Sequence, residues 1–153
     1  MITKLAIISG GQTGADRAGL DWAIRNNIRH GGWCPNGRKA LDGPLDAKYQ
    51  LKETPSEDEL ERAEWNVRDS DGTVVFTLAE KATGGSAKAL SFARKLKKPF
   101  FHLHSGIFGR SEKLAAFLEK HNIRRLNVAG SRESKEPGIY KWVTTVLERM
   151  LEE

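Results

Sequence analysis

The chain has 153 residues, 39% of them hydrophobic and 29% charged, one cysteine and a net charge of +5. That length suits one packed core rather than two, a lone thiol excludes an internal disulfide, and an amino end with neither a basic leader nor a long apolar run indicates neither secretion nor membrane insertion. The expectation is a single cytoplasmic domain over residues 1–153.

The charge is uneven: residues 1–80 carry 10 Lys and Arg against 13 Asp and Glu, whereas residues 81–153 carry 15 against 7. Such asymmetry favours an anionic partner. Most of these cations fit solvated helix faces, as in residues 94–98 and 119–125, so a small anionic ligand is expected and nucleic acid is not.

In chain order, residues 5–8 (LAII) read as a strand that runs without a spacer into SGGQTGAD and then a helix over 15–26. Ala15, Ala18, Gly19, Trp22 and Ala23 fall on one stripe of that helix, small residues nearest the strand, which makes Trp22 core. Residues 28–55 hold three of the five prolines and read as a short second strand near Trp33 followed by a long loop of the kind that is often functional. A helix follows over 57–69, with Ser56 as N-cap and Glu59 completing a capping box. Then come a strand over 73–78, the loop Thr83-Gly84-Gly85-Ser86, a helix over 86–96, a strand over 99–104, a helix over 111–121, a strand over 125–130 and a helix over 138–151.

Apolar runs alternating with helical segments argue for an α/β fold, a doubly wound and mostly parallel sheet of about five strands flanked by helices. The flavodoxin-like order 2-1-3-4-5 would set the strand before Gly10 beside the strand before Gly84, at the switch point where such sheets bind ligands.

The two glycine loops are the candidate site. Gly10 and Gly11 allow a tight strand-to-helix turn with exposed N–H groups, and Gly14 lets the helix start approach a ligand closely. The spacing matches neither a dinucleotide fingerprint nor a P-loop. Thr13, Thr83 and Ser86 supply hydroxyls for phosphate oxygens, with Gly84 and Gly85 between them, and Asp16 lies in the first turn of its helix. Arg62 and Arg68, six apart, cannot share a helix face, so at most one enters the site. Trp33 and Trp65 are stacking candidates for which burial is the simpler role. Cys34 alone makes no metal site, and His102 with His104 lack a third ligand. Phe100, Phe101, Phe108 and Phe117 suit core or interface, so a homo-oligomer is open.

Taken together, SGGQTGADRAGLDWA, GWCPNGRKALDGPLDAKYQLKET, ERAEWNVRDSDGTVVF, TGGSAKAL and LNVAGSRESKEPGIY resemble the putative molybdenum carrier family. The resemblance implies a Rossmann-like fold shared with cytokinin-activating phosphoribohydrolases and the DNA-processing protein DprA. It also implies molybdenum cofactor (molybdopterin), a pterin phosphate, as a ligand. Against the phosphoribohydrolase pattern Arg62 is matched and residues 83–88 stand for the glycine loop, with Lys88 in place of a Thr. Ser91 falls where that pattern has its catalytic Glu. Cleavage of an N-glycosidic bond needs a carboxylate near the sugar, and Asp16, Asp42, Asp46 or Glu80 could supply it only if the fold brings it there. The expected role is therefore a nucleotide-binding or pterin-binding protein with a phosphate-binding glycine loop. A nucleotide-processing hydrolase is the alternative, with Arg62 and Asp16 as candidate catalytic residues. Lys88 and Ser91, three apart, would share a face, and if that face lines the site it captures an anion without a general base.

Overall fold

The computed structural model describes residues 4–152. Five strands form one parallel sheet: β1 (Ala6–Ile8), β2 (Arg29–Gly31), β7 (Gly72–Thr77), β8 (Phe100–His104) and β9 (Arg125–Gly130). The residues between β2 and β7 supply four two-residue strands: β3 (Trp33–Cys34), β4 (Lys39–Ala40), β5 (Gly43–Pro44) and β6 (Lys52–Glu53). Five helices complete the fold: α1 (Ala15–Arg25), α2 (Glu59–Arg68), α3 (Gly84–Lys95), α4 (Arg110–Lys120) and α5 (Ile139–Leu151).

The period-2 pattern of the strands sorts side chains onto two faces. Ile7, Val74, Phe76, Leu126 and Val128 join Leu103 in the main core with α1, α4 and α5, and Trp22 is fully buried among them. On the other face Val75 meets Ala89 and Leu90 of α3, with α2 packed beside α3. Close approach of α1 to the sheet depends on Gly19, where a Cβ would lie 2.9 Å from Val128.

The α/β class and the parallel five-stranded sheet are as the sequence predicts, but the strand order is not. The order is β2-β1-β9-β7-β8, so β9 separates the two strands that 2-1-3-4-5 sets side by side. A right-handed crossover from edge strand β8 through α4 passes over β7 and returns the chain to the middle of the sheet. Counted from β7, with β1 and β2 taken after β9, the same sheet reads 2-1-3-4-5.

The stretch expected as a long loop is more ordered than its composition suggests. β3 pairs with β6 in parallel and β4 with β5 antiparallel, and Cys34 is buried with Leu20, Leu45, Tyr49 and Leu51. The Arg38 guanidinium donates to the carbonyls of Asp46, Tyr49 and Leu51, while the hydroxyls of Tyr49 and Tyr140 both donate to the Asp21 carboxylate at 2.6 and 2.5 Å. Helix α2 starts later than expected because Asp58, not Ser56, is its N-cap, accepting from the Leu60 N–H. The reciprocal contact to the Ser56 N–H comes from Glu61 rather than Glu59.

Candidate functional site

A cleft opens over the carboxyl ends of β1, β9 and β7, between α2 and α3. Its volume is about 130 Å³, below the 300–1,000 Å³ usual for whole drug-sized ligands, which is room for a phosphate-sized or sugar-sized group.

On the β1 side Gly10, Gln12 and Asp16 line the cleft, and α2 contributes Glu59 and Arg62. Arg62 lies across Gly10 so closely that a Cβ there would be 2.6 Å from Nη1. Its guanidinium pairs with Asp16 at 3.5 Å and more loosely with Glu59 at 3.9 Å, and Nε is buried without a partner. Burial pushes the Asp16 carboxyl up to about 6, against the opposing pull of Arg62 and the Gln12 N–H. Gln12 ties this wall together: its side-chain oxygen accepts from the N–H groups of Thr13 and Leu41, and its amide nitrogen donates to Glu59.

The opposite wall is the start of α3, where Gly84, Gly85 and Ser86 line the cleft. Thr83 is the N-cap but its side chain caps nothing; instead its hydroxyl accepts from Lys135 at 2.6 Å. The first N–H groups of α3 are thus unclaimed by a side-chain cap and carry the positive end of the helix dipole. Ser86 is buried in the first turn of α3.

Between the walls lies a third glycine loop, after β9, with Gly130, Ser131, Arg132 and Lys135 along the cleft and Asn127 at its floor. Glu136 fastens this loop to the β7–α3 loop by accepting from the Leu78 and Ala79 N–H groups and from the Ser131 hydroxyl.

The two glycine loops of the sequence therefore face one cleft, though not as neighbours. Of the expected residues Gly10, Asp16, Arg62, Gly84, Gly85 and Ser86 line it, with Thr83 beside it through Lys135. Gly11, Thr13 and Gly14 do not. Gly11 has φ 82° and would bring a Cβ to 3.0 Å from Leu45 and Leu51, so its hydrogen faces the β5–β6 packing. A Cβ on Gly14 would run into Ser131 O and the backbone at Arg132 and Glu133, so the close approach it permits is to the β9–α5 loop rather than to a ligand. Thr13 accepts from the Glu133 N–H. Lys88 and Ser91 are exposed on α3 outside the cleft, which corrects the expectation of a pocket-lining face there.

Arg68 turns away as the spacing requires, pairing with Asp69 and lying over Trp65. Trp33 meets Trp65 edge-on and donates its indole N–H to Asp69, so neither ring stands in the cleft. Of the other carboxylates considered, Asp42 is held by Arg17 and Glu80 is exposed. Among the described residues no cluster of His, Cys, Asp and Glu could hold a metal ion, and no helix is long and apolar enough to cross a membrane.

Gln12, Glu59, Asn127, Gly130, Ser131, Arg132 and Lys135 were not expected. The signal for the last four was present: residues 125–138 repeat the strand, glycine, hydroxyl and helix succession of the other two loops.

The family described as "Circularly permutated YpsA SLOG family" matches residues 7–151. The chain belongs to that family. Circular permutation accounts for a sheet that reads 2-1-3-4-5 only when counted from β7. Among solved structures, the crystal structure of a protein named putative molybdenum carrier protein, from Syntrophus aciditrophicus, is 43% identical to this SLOG chain. Their TM-score is 0.92, over 98% of this chain and 95% of that one. Among curated proteins none matches the chain.

Proposed function

We propose that the protein is a cytoplasmic binding protein for a phosphorylated, ring-bearing small molecule, whose phosphate sits at the start of α3. The observation that carries this reading is the α3 N-terminus, without a side-chain cap, opening into a cleft shared with Lys135, Arg132 and the buried Ser86. Backbone N–H groups, a helix dipole and nearby cations together favour an anion over water. The volume suits the phosphate and an adjoining sugar or chain, with the ring at the rim near Leu60, which is 41% exposed.

The name of the Syntrophus protein points to molybdenum, and molybdenum cofactor is the form of it that carries a phosphate for this cleft. The cleft fits the phosphate of a pterin phosphate, while no described cluster offers ligands to the metal itself. Held this way, the phosphate would rest on Gly84, Gly85, Ser86 and Lys135, and the metal would keep the ligands its pterin supplies. Protein purified from a cofactor-producing host is expected to carry pterin-like fluorescence and stoichiometric molybdenum, with both reduced in Lys135→Ala. Their absence, together with no phosphate-bearing compound in the mass spectrum of the purified protein, would refute the proposal.

A second reading, hydrolysis of a nucleotide-derived ligand, is favoured by one observation: Asp16 puts a buried carboxyl of raised pKa beside Arg62 in the same cleft. Such a group can exchange protons near neutral pH. Product formation from a panel of nucleoside monophosphates, lost in Asp16→Asn, would move the assignment from carrier to enzyme.

A further inference from the structure

A second concavity lies elsewhere on the sheet. On one face β1 is covered by α1, and on the other Ala6 and Ile8 line a groove of about 770 Å³. Lys4 lines it ahead of β1, Arg29 from β2, Lys52 from β6, and Arg124 and Arg125 at the start of β9. Trp33 forms part of the wall, with the Lys52 ammonium 5.7 Å from the centre of its ring.

None of these cations is held in a close ion pair with a described residue. None of the ion pairs among the described residues involves Lys4, Arg29, Lys52, Arg124 or Arg125. Two carboxylates, Asp69 and Asp71, also line the groove and offset part of that charge, leaving the cations in excess. Asp71 accepts from the backbone N–H groups of Arg124 and Arg125 at 3.0 and 2.8 Å. Asp69 is shared between the Trp33 indole N–H and the Arg68 guanidinium, and its carbonyl holds Arg125 Nε. The other arginines whose side chains pair in this protein, Arg17, Arg25, Arg62 and Arg68, each face a carboxylate. Like charges gathered around a concave wall focus their field on a counter-ion.

We propose that this groove is a second ligand site, separate from the cleft, for a small molecule carrying a chain of phosphates. One phosphate monoester brings at most about two charges, too few for five cations set against two carboxylates, whereas a di- or triphosphate matches the excess. The volume falls in the 300–1,000 Å³ range of small-molecule sites. The same chemistry is offered by a free polyphosphate chain or by a nucleoside triphosphate.

The test is isothermal titration of the full chain with tripolyphosphate at low salt. Two sites per chain are expected. Arg29→Gln with Arg124→Gln should weaken one of them by about tenfold or more, as loss of charged contacts does, and Lys135→Gln should weaken only the other. Both arginines are exposed, and unchanged circular dichroism would verify that the double variant folds. Tighter binding of adenosine triphosphate than of tripolyphosphate assigns a nucleotide, and equal binding assigns the phosphate chain alone; either upholds the site. A single site lost in Lys135→Gln and unmoved by the double variant would overturn it while leaving the cleft reading intact. A single site lost only in the double variant would uphold it and count against the cleft. Oligothymidylate whose affinity keeps rising beyond the few nucleotides the groove spans would also overturn it, assigning a nucleic-acid surface instead.

Discussion

Replacing Asp16 by Asn should make the protein more resistant to unfolding at neutral pH, and the effect should switch on with pH. Asp16 is 4% exposed, and its burial raises the carboxyl from 3.8 to about 6 even with Arg62 at 3.5 Å. The shift is about two units, each worth about 1.4 kcal/mol. A carboxyl whose folded value lies above its unfolded value is protonated in the folded state and ionised in the unfolded chain between those two values. It therefore costs no stability below about pH 4, costs progressively more as pH rises, and reaches its full cost of about 3 kcal/mol above about pH 6. Asn has no such titration and keeps an oxygen for the Gln12 N–H. Urea unfolding of both proteins across this range, plotted as the stability difference between them, cancels every other titrating group. The difference is expected to grow by about 3 kcal/mol in favour of Asp16→Asn between about pH 4 and about pH 7, and ligand binding is expected to fall. A flat difference, or a carbon resonance of Asp16 titrating near 3.8, would refute the reasoning. A charge kept in the cleft at such a cost is the usual sign of stability exchanged for function.

Gly85→Ala should leave stability equal or better by up to about 1 kcal/mol, because a Cβ there meets nothing within 4 Å and Ala favours helix. The same variant should weaken binding of inorganic phosphate, read by titration calorimetry, since the methyl intrudes on the α3 N-terminus. Gly11→Val should instead destabilise by about 1–3 kcal/mol, with faster hydrogen exchange in residues 38–51, because its strain falls on Leu45 and Leu51 rather than in the cleft. Tyr49→Phe and Tyr140→Phe should each cost about 1–3 kcal/mol in denaturant unfolding. Their double variant should depart from additivity, because both hydroxyls donate to Asp21.

The elements were legible wherever apolar runs met turn residues: β9 has the bounds the sequence suggests, and α1, α4 and α5 fall within a residue of them. That Arg62 and Arg68 do not both enter the site follows from helical spacing; which of them does is decided by how α2 packs. What lay beyond the sequence was set by long-range packing. Nothing local to residues 125–130 says that they pair with both β1 and β7; crossover handedness and the faces already occupied decide that. Gly11 and Gly14 were correctly read as special but given the wrong neighbours, because a positive φ is a local property while the atom a Cβ would strike belongs to a distant loop. Lys88 failed for the converse reason: one helix has several faces, and only tertiary contacts choose between them. Asn127 and the β3–β6 pairing gave no composition signal strong enough to stand apart from ordinary strand and loop chemistry.

The placement of β9 has a consequence for how the molecule is made. A nascent chain emerges from its amino end, so β1 with β2, and later β7 with β8, are complete while the strand that joins them is still being synthesised. Until residues 125–130 appear, each pair presents to the other an open edge of unpaired N–H and C=O groups, the kind of edge that recruits foreign strands. The keystone arrives last, and with it the loop carrying Arg132 and Lys135. The cleft is therefore incomplete until the sheet is whole, and a chain released early lacks both its central strand and part of the cleft.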